Sequence, residues 1–269
     1  MEIITNLNEK DNLKNNRLIG EPKLINSTIR FKGKNNILFC ENKVELNNAH
    51  ISFEDNNSLI YLSSSKHNYP LNISIHNDSV IFIGKNNYIG GSFGANIQEF
   101  QNLIIGDDGI LVKEINLRTS DVHPIFDVNT KQRTNFSKSI YIGDHVWIGQ
   151  SSFISRGVRI GSGAIIGNYS FIPPNTIFPS NCYAFGNPAK IVSQEVFFTK
   201  EFLGHNTPED TVKTSSYKSD LFIYEVLSSE TLSMSKLDQI LNELSIEKKL
   251  EFIQKLFVRN KRKNRFAIK

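Results

Sequence analysis

From Ile142 to Phe178 an apolar residue recurs at every sixth position of the chain. The apolar series is Ile142, Ile148, Ile154, Ile160, Ile166, Ile172 and Phe178, and a small residue follows each member by four positions, at Val146, Ser152, Val158, Ala164, Ser170, Thr176 and Cys182. A period of six fits neither an α-helix nor an alternating strand. Three six-residue sides instead predict a triangular parallel β-helix, in which the apolar residue points inward and the small residue lets the corner close.

The outward positions of the same repeat carry apolar side chains as well. Trp147, Ile165 and Tyr183 follow each other at 18-residue spacing, and Phe153 and Phe171 form a second column. Contiguous apolar patches on the outside of a soluble protein mark interaction sites. We therefore expect these two columns to contact another subunit or a ligand.

The rest of the chain is organised around this rod. The polar, Asn- and Lys-rich residues 1–23 are expected to cap the first coil. Short β-type runs between Asn-, Asp- and Gly-rich corners extend the predicted rod over residues 24–192. The six-residue step is lost over residues 112–139, which we expect to protrude as a functional loop, because long irregular insertions in a regular repeat are uncommon. Apolar residues at helical spacing predict a helical C-terminal extension over residues 193–269.

The composition is that of an ordinary soluble globular protein, with 269 residues, of which 39% are hydrophobic and 22% are charged. No stretch approaches the roughly 18 apolar residues of a membrane-spanning helix. The first residues also lack the apolar run of a secretory signal, so we expect a cytoplasmic protein. The two cysteines, Cys40 and Cys182, indicate no disulfide framework.

Positive charge is concentrated at the C-terminal end of the chain. Residues 247–269, the basic tail, carry nine Lys or Arg against two Glu, a balance of +7, so the remaining residues of this +4 chain sum to −3. Such a tail is commonly a solvated, frayed end. Its functional alternatives are peripheral contact with an anionic membrane surface at the inner face or with an anionic polymer. We expect no nucleic-acid partner.

Three segments add a resemblance to a known family. They read DVHPIFDVNTKQRTN from residue 121, IYIGDHVWIGQ from residue 140 and AFGNPAKIV from residue 184. Together with the hexads they resemble the hexapeptide-repeat O-acetyltransferases that use acetyl-CoA, and residues 120–127 resemble the enzymes that acetylate bacterial capsules such as polysialic acid. The resemblance covers roughly residues 80–192. It implies a left-handed parallel β-helix, so the predicted fold class is mainly β with a small helical C-terminal region.

The resemblance implies that His123 is the general base, because a loop histidine has that role in the family. A sugar hydroxyl is a poor nucleophile at neutral pH, and a neutral imidazole can take its proton while it attacks a thioester. A carboxylate beside the imidazole could orient the ring and stabilise its protonated form. Asp121 and Asp127 are the candidates for this role, and Asp121 is favoured.

The resemblance also implies an acetyl-CoA site. Trp147 matches the family residue that lines the acetyl-transfer site, and the backbone N–H just past it, which falls on Gln150, is implied as the oxyanion donor. Asn168 is implied to line the pantetheine groove. Lys190 is implied to meet the phosphates of coenzyme A.

One part of the implied acetyl-CoA site departs from the family pattern. Pro173 and Pro174 occupy cofactor-binding positions where relatives often carry a Thr-Lys pair. One expected cation is therefore missing, and Arg156, Arg159 or the basic tail is the candidate substitute.

The resemblance and the exposed apolar columns together imply a homotrimer with its sites at the subunit interfaces. A zinc site built from His123 and His145 is the alternative that carbonic anhydrase-like members of the superfamily suggest. No third ligand stands at matching spacing, so we expect no metal and interpret His145 as an outward corner residue. The remaining histidines are His50, His67, His76 and His205.

The sequence thus leads to the hypothesis of an enzyme that moves acetyl from acetyl-CoA to a hydroxyl of a bacterial capsular or other surface polysaccharide by direct attack. Two alternatives remain open. The first is N- or O-acetylation of a small sugar or nucleotide sugar, against which residues 1–80 show no glycine-rich phosphate loop. The second is a non-catalytic rod that binds glycans or scaffolds a capsule assembly complex through its C-terminal tail. The intact set of His123, Trp147 and GNPAK argues against it.

Overall fold

The computed structural model describes residues 1–269, and most of the chain forms a triangular parallel β-helix. Four sheets of short strands form three faces, because the third face consists of a two-stranded and a six-stranded sheet. Each coil visits the faces in the order second, third and first. Strand neighbours on a face run parallel, apart from the first strand of the chain and the last hairpin. The predicted mainly β architecture, a parallel β-helix followed by a few helices, is therefore confirmed.

The first face is not covered by other parts of the chain. Most of its outward side chains in the early coils are polar, and the last two are Phe153 and Phe171, whose rings are tilted against each other with centroids 6.0 Å apart. Its strands are Glu2–Ile4, Thr28–Phe31, His50–Phe53, Leu71–Ile75, Phe93–Ile97, Ile115–Arg118, Phe153–Ile154 and Phe171–Ile172.

The second face is apolar on both sides. Ile37, Tyr61, Phe82 and Tyr141 point away from the rod interior and are nevertheless buried, because the C-terminal extension packs over them. Its strands are Arg17–Ile19, Ile37–Cys40, Leu59–Leu62, Val80–Ile83, Asn102–Ile105, Ile140–Ile142, Arg159–Ile160 and Ile177–Phe178.

The third face carries the predicted outward column. Trp147 pairs directly with Ile165, and Ile165 with Tyr183, so the stacking at 18-residue spacing is confirmed. The strands of this face are Lys23–Ile25, Glu45–Asn47, Tyr88–Ile89, Ile110–Leu111, Trp147–Ile148, Ile165–Ile166, Cys182–Gly186 and Ala189–Gln194.

Coil length explains why the six-residue step is clear only in the second half of the rod. Arg159 stacks under Ile177, 18 residues later, whereas Ile37 stacks under Leu59, 22 residues later. The early coils have strands of three to five residues, and the late coils mostly have strands of two. The interior is the same throughout, because one cluster of 42 buried residues runs along the rod.

Asparagine turns many of the corners. A corner that closes one side of the triangle needs a residue with positive φ, and Asn tolerates the left-handed region better than other residues with a side chain. The asparagines with positive φ are Asn26, Asn35, Asn48, Asn57, Asn86, Asn175 and Asn181.

The ends of the predicted loop and cap differ from the sequence expectation. The rod already begins with Arg17–Ile19, inside the segment 1–23 that we expected to be a cap. Before it, a short 3₁₀ helix, Leu7–Asn12, starts with a capping box formed by Asn6 and Glu9. The segment 112–139 likewise contains one more rod strand, Ile115–Arg118, in which Ile115 and Leu117 point inward. The loop itself, called the 119–139 loop below, therefore starts later than expected.

The C-terminal extension contains three α-helices, α1 (Pro208–Lys213), α2 (Met234–Glu243) and α3 (Ile246–Ile253), and α3 continues as a π-helical turn over Gln254–Val258. Helices α2 and α3 cover the second face through a cluster of 14 buried residues. None of the helices is both long enough and apolar enough to span a bilayer.

The basic tail is largely docked rather than frayed. Arg265 is only 3% exposed, and its guanidinium forms two hydrogen bonds with Asp144, of 2.9 and 2.7 Å, and lies 2.9 Å from the Asp107 carboxylate. The same guanidinium donates to the carbonyl of Phe257 at 2.5 Å. Phe266 stacks on Phe257, with ring centroids 5.6 Å apart, so the end of the chain is tied to the rod by charge and by packing.

Replacing Arg265 by Leu should destabilise the protein by roughly 3–5 kcal/mol, because it leaves carboxylates in a site built for a cation. The neighbouring Arg262→Leu should cost less than about 1 kcal/mol, since that side chain is exposed and its guanidinium contacts only the Ser229 carbonyl. Urea unfolding of both variants measures the difference. Equal midpoints would contradict the docked tail.

Candidate functional site

His123 lies on the 119–139 loop, which leaves the rod at the corner between the first and second faces. Its side chain is exposed, and its imidazole forms no hydrogen bond within the chain. Its backbone N–H donates to the Asp121 carbonyl at 2.8 Å. The ring is therefore free to meet a group that comes from outside this chain.

Asn135 holds the loop backbone around His123. This residue is only 2% exposed, and its Nδ2 donates to the His123 carbonyl at 2.8 Å, while its Oδ1 accepts from the N–H of Ile125 at 2.7 Å. Val122, directly before His123, has a φ of +70°, which is rare for a β-branched residue. Backbone strain of this kind persists only where the surroundings hold it, so the Asn135 bonds fix the position of His123.

Asp121 is bound to the loop and the rod rather than to the imidazole of His123. Its Oδ2 accepts from Nε of Arg156 at 2.9 Å and from Nδ2 of Asn135 at 3.1 Å. Partial desolvation raises the pKa of Asp121, but these two hydrogen bonds outweigh it and hold the pKa below its usual range. The other candidate, Asp127, accepts from the backbone N–H groups of Asn129 and Thr130 and shapes a turn. Within one chain, neither carboxylate orients the ring.

Glu99 anchors the far side of the same loop, and no motif or spacing in the chain pointed to this residue. Both of its carboxylate oxygens accept from the guanidinium of Arg133, at 2.7 and 2.8 Å, and Ser137 donates to it as well. The hydrogen bond from Arg133 is the largest cause that lowers the pKa of Glu99, to about 2. The loop is thus fixed both to the coil before it and, through Asp121, to the coil after it.

Trp147 stands on the third face with 39% of its surface exposed. Two of the predicted acetyl-CoA residues lie just past it, where the N–H of Gln150 donates to Oδ1 of Asn168 at 2.9 Å. Gly149 permits this close approach, because a Cβ there would lie 2.5 Å from the backbone nitrogen of Asn168. The structure therefore brings Trp147, Gln150 and Asn168 together, with the predicted oxyanion donor already engaged by Asn168.

Lys190 lies at the end of the same third face, in the last hairpin, where it pairs with Phe185 and is exposed. Pro173 and Pro174 do not join this group. They follow the first-face strand Phe171–Ile172 and turn the corner toward the second face, where the Pro173 carbonyl accepts from Oγ1 of Thr176 at 2.8 Å.

The predicted site residues thus form two separate groups, which we call the loop half and the groove half. The loop half contains His123, Asp121, Pro173 and Pro174, and it lies at the corner between the first and second faces. The groove half contains Trp147, Gln150, Asn168 and Lys190, and it lies on the third face and its edge with the first. In a triangular coil the third face is opposite the corner that carries the loop. One chain therefore holds two groups of predicted site residues that point in different directions.

Two aromatic residues of the extension pack beside the groove half, and sequence spacing gave no signal for them. Phe198 and Phe222 sandwich the imidazole of His145, with ring centroids 4.1 and 4.0 Å away, and Phe198 also lies 5.6 Å from the Trp147 ring. His145 stands at a corner of the coil with a φ of +53° and points away from the rod interior, as expected, but the extension covers it, so that it is only 2% exposed. Burial lowers its pKa, which favours the neutral ring in this stack.

Replacing Glu99 by Gln should loosen the loop half. Loss of the bidentate pair with Arg133 lets the loop open more often, so amide hydrogen exchange in residues 121–136 should accelerate about fivefold. The pKa of Glu99 in the folded protein is lowered to about 2. The stabilisation by the Glu99–Arg133 pair should therefore be fully present above pH ~4.3, the ordinary pKa of a glutamate, and should be lost as the pH falls toward 2. The control Glu114→Gln removes an exposed carboxylate that accepts from Ser151 elsewhere on the rod. Equal exchange in both variants would contradict the anchor.

Comparison with known proteins agrees with this architecture. Residues 139–182 match the family described as bacterial transferase hexapeptide (six repeats). A polysialic acid O-acetyltransferase of Escherichia coli O1:K1 / APEC is 39% identical over 143 residues, which are 53% of this chain and 45% of that protein. A second, from Neisseria meningitidis, is 27% identical over 55% of this chain and 68% of that protein. The chain thus spans less than half of the length of the Escherichia coli relative.

Two solved structures share the fold over most of the chain. The crystal structure of the polySia specific acetyltransferase NeuO is 29% identical, with a TM-score of 0.63, and the match covers 74% of this chain and 93% of that one. The polysialic acid O-acetyltransferase OatWY is 23% identical, with a TM-score of 0.57 over 74% and 94% of the two chains, and shows the shared fold. The chain is a left-handed hexapeptide-repeat β-helix that resembles the polysialic acid O-acetyltransferases.

Proposed function

We propose that this protein is an acetyltransferase that moves the acetyl group of acetyl-CoA to a hydroxyl of an anionic capsular polysaccharide. The observation that supports the proposal most is the arrangement of the loop half and the groove half on the rod. The loop half presents a free imidazole on a braced loop, and the groove half presents exposed Trp147 beside polar Asn168 and cationic Lys190. The relatives named as polysialic acid O-acetyltransferases support the acceptor class.

In the proposed reaction the acceptor oxygen attacks the carbonyl carbon of the thioester directly. The imidazole of His123 takes the hydroxyl proton, the new C–O bond forms, and the C–S bond breaks. The proton then neutralises the departing thiolate, so the histidine returns to its neutral state. No acyl-enzyme residue is needed.

The groove half would hold acetyl-CoA along the third face and its edge. Trp147, Tyr183 and Phe185 offer apolar surface there, and the Lys190 ammonium offers charge for a phosphate. For the N–H of Gln150 to stabilise the oxyanion, the Asn168 carboxamide must turn aside when the thioester enters, because that N–H is bound to it at 2.9 Å.

A second copy of the chain would supply the missing half of each site. Within one chain the loop half and the groove half lie on opposite sides of the rod, so His123 cannot reach the groove beside its own Trp147. A cyclic assembly places the loop of one copy against the groove of the next, and its interfaces close in a ring. We propose a homotrimer, which matches the three-sided rod and the exposed apolar columns.

Thiol release from acetyl-CoA with a panel of capsular polysaccharides and simple sugars tests the proposed function. Replacing His123 by Ala should lower the polymer-dependent rate by about 10²–10⁴-fold, since the base is lost while the groove is kept. The control His50→Ala removes an exposed histidine on the first face and should retain the native rate.

Three other outcomes of this assay would each contradict a different part of the proposal. A native rate in His123→Ala would show that another group is the base. Activity confined to small sugars or nucleotide sugars would replace the polymer as acceptor. No thiol release with any acceptor, together with no binding of acetyl-CoA, would favour a non-catalytic rod.

A further inference from the structure

A basic cleft lies where the C-terminal extension crosses the corner between the second and third faces. It has a volume of about 420 Å³, within the range of roughly 300–1,000 Å³ that ligand sites occupy. The extension contributes five cations to its wall, and the rod contributes three carboxylates. The cations are Lys200, Lys261, Arg262, Lys263 and Arg265.

All three carboxylates of the cleft already have partners. Arg265 pairs with Asp107 at 2.9 Å and with Asp144 at 2.7 Å. Nζ of Lys200 lies 3.6 Å from Asp108. These two cations therefore offset two of the three negative charges of the cleft, and the Arg265 guanidinium that serves two of the carboxylates is itself buried.

The three consecutive cations of residues 261–263 have no carboxylate partner. Lys263 donates to the Asp220 carbonyl at 2.6 Å and lies 5.7 Å from the centre of the Tyr224 ring. The Arg262 guanidinium donates to the Ser229 carbonyl, and Lys261 forms no hydrogen bond. A concave surface with excess positive charge remains, and charge of one sign in a cleft focuses the potential on an anionic ligand.

The cleft is connected to the groove half by a series of aromatic contacts. His145 forms part of its wall and stacks on Phe198, whose ring reaches Trp147. On the other side of Trp147 lie Gln150 and Asn168, where acetyl-CoA is proposed to bind. The cleft therefore flanks the acetyl-transfer position on the side away from the proposed coenzyme.

We propose that this cleft binds carboxylates of the anionic polysaccharide acceptor and so holds the polymer beside Trp147. The inference rests on the proposed function and adds a binding site in a part of the chain outside the repeat. Coenzyme phosphates are the less suitable occupant, because the coenzyme positions lie across Trp147. A flat lipid surface is also less suitable, because the unpaired cations line a concave wall that includes Tyr224.

Direct binding of polysialic acid to the full-length protein, without acetyl-CoA, tests this site separately from catalysis. The variant Lys261→Gln/Lys263→Gln should bind the polymer about tenfold more weakly, with a shallower dependence on salt. Its Michaelis constant for acetyl-CoA should stay within about twofold of the native value. The control Lys248→Gln/Lys255→Gln removes the same charge from exposed positions on α3 and the turn after it, outside the cleft, and should bind like the native protein.

Several results would overturn the proposal. Equal loss of polymer affinity in both double variants would show a diffuse charge effect of the tail. A raised Michaelis constant for acetyl-CoA in the cleft variant alone would assign the cleft to coenzyme phosphates. Loss of binding to phosphatidylglycerol vesicles with unchanged polymer binding would assign it to a lipid surface. If the polymer binds as proposed but no acetyl transfer occurs, the proposed function fails while the cleft assignment stands.

Discussion

A triangular coil must turn three corners, and this constraint arranges all the chemistry of the chain. The loop with His123 leaves at one corner, while Trp147 and Asn168 lie on and beside the face opposite to it. Stacking fixes this separation, because each coil repeats the corners of the coil below. No rotation of a side chain can bring the loop half and the groove half together. In the proposed function, a second copy of the rod would therefore complete each site.

The C-terminal extension determines which faces are available for that assembly. Helices α2 and α3 bury the second face, where Tyr141 donates to Asp238 at 2.6 Å and Phe82 stacks on Phe257. The Arg265 pair with Asp107 and Asp144 fixes the end of the chain at the next corner. The first and third faces stay free, and they carry the exposed apolar columns. The basic tail, which the sequence suggests is a loose end, thus covers the second face with its apolar residues and lines a cleft with its cations.

Sequence pattern predicted the rod well, since the inward series from Ile142 to Phe178 is set by local packing. The pattern located the early coils less exactly, because their longer strands lengthen the coil from 18 to 22 residues in places. Asp121 could be selected as a candidate, but its pairing with Arg156 depends on two coils stacking at one corner. The packing of Phe198 on His145, and of Arg265 on Asp144, joins segments far apart in sequence. Neither contact leaves a periodic signal, so only the folded chain shows them.

Mixed assemblies test the composite site most directly. Subunits with His123→Ala and subunits with Trp147→Ala, carrying different tags, would be co-expressed and isolated through both tags. Each variant alone should be inactive, whereas mixed trimers should regain activity at about one interface in three, where an intact loop meets an intact groove. Mixed trimers as inactive as either parent would show that both halves of a site come from one chain.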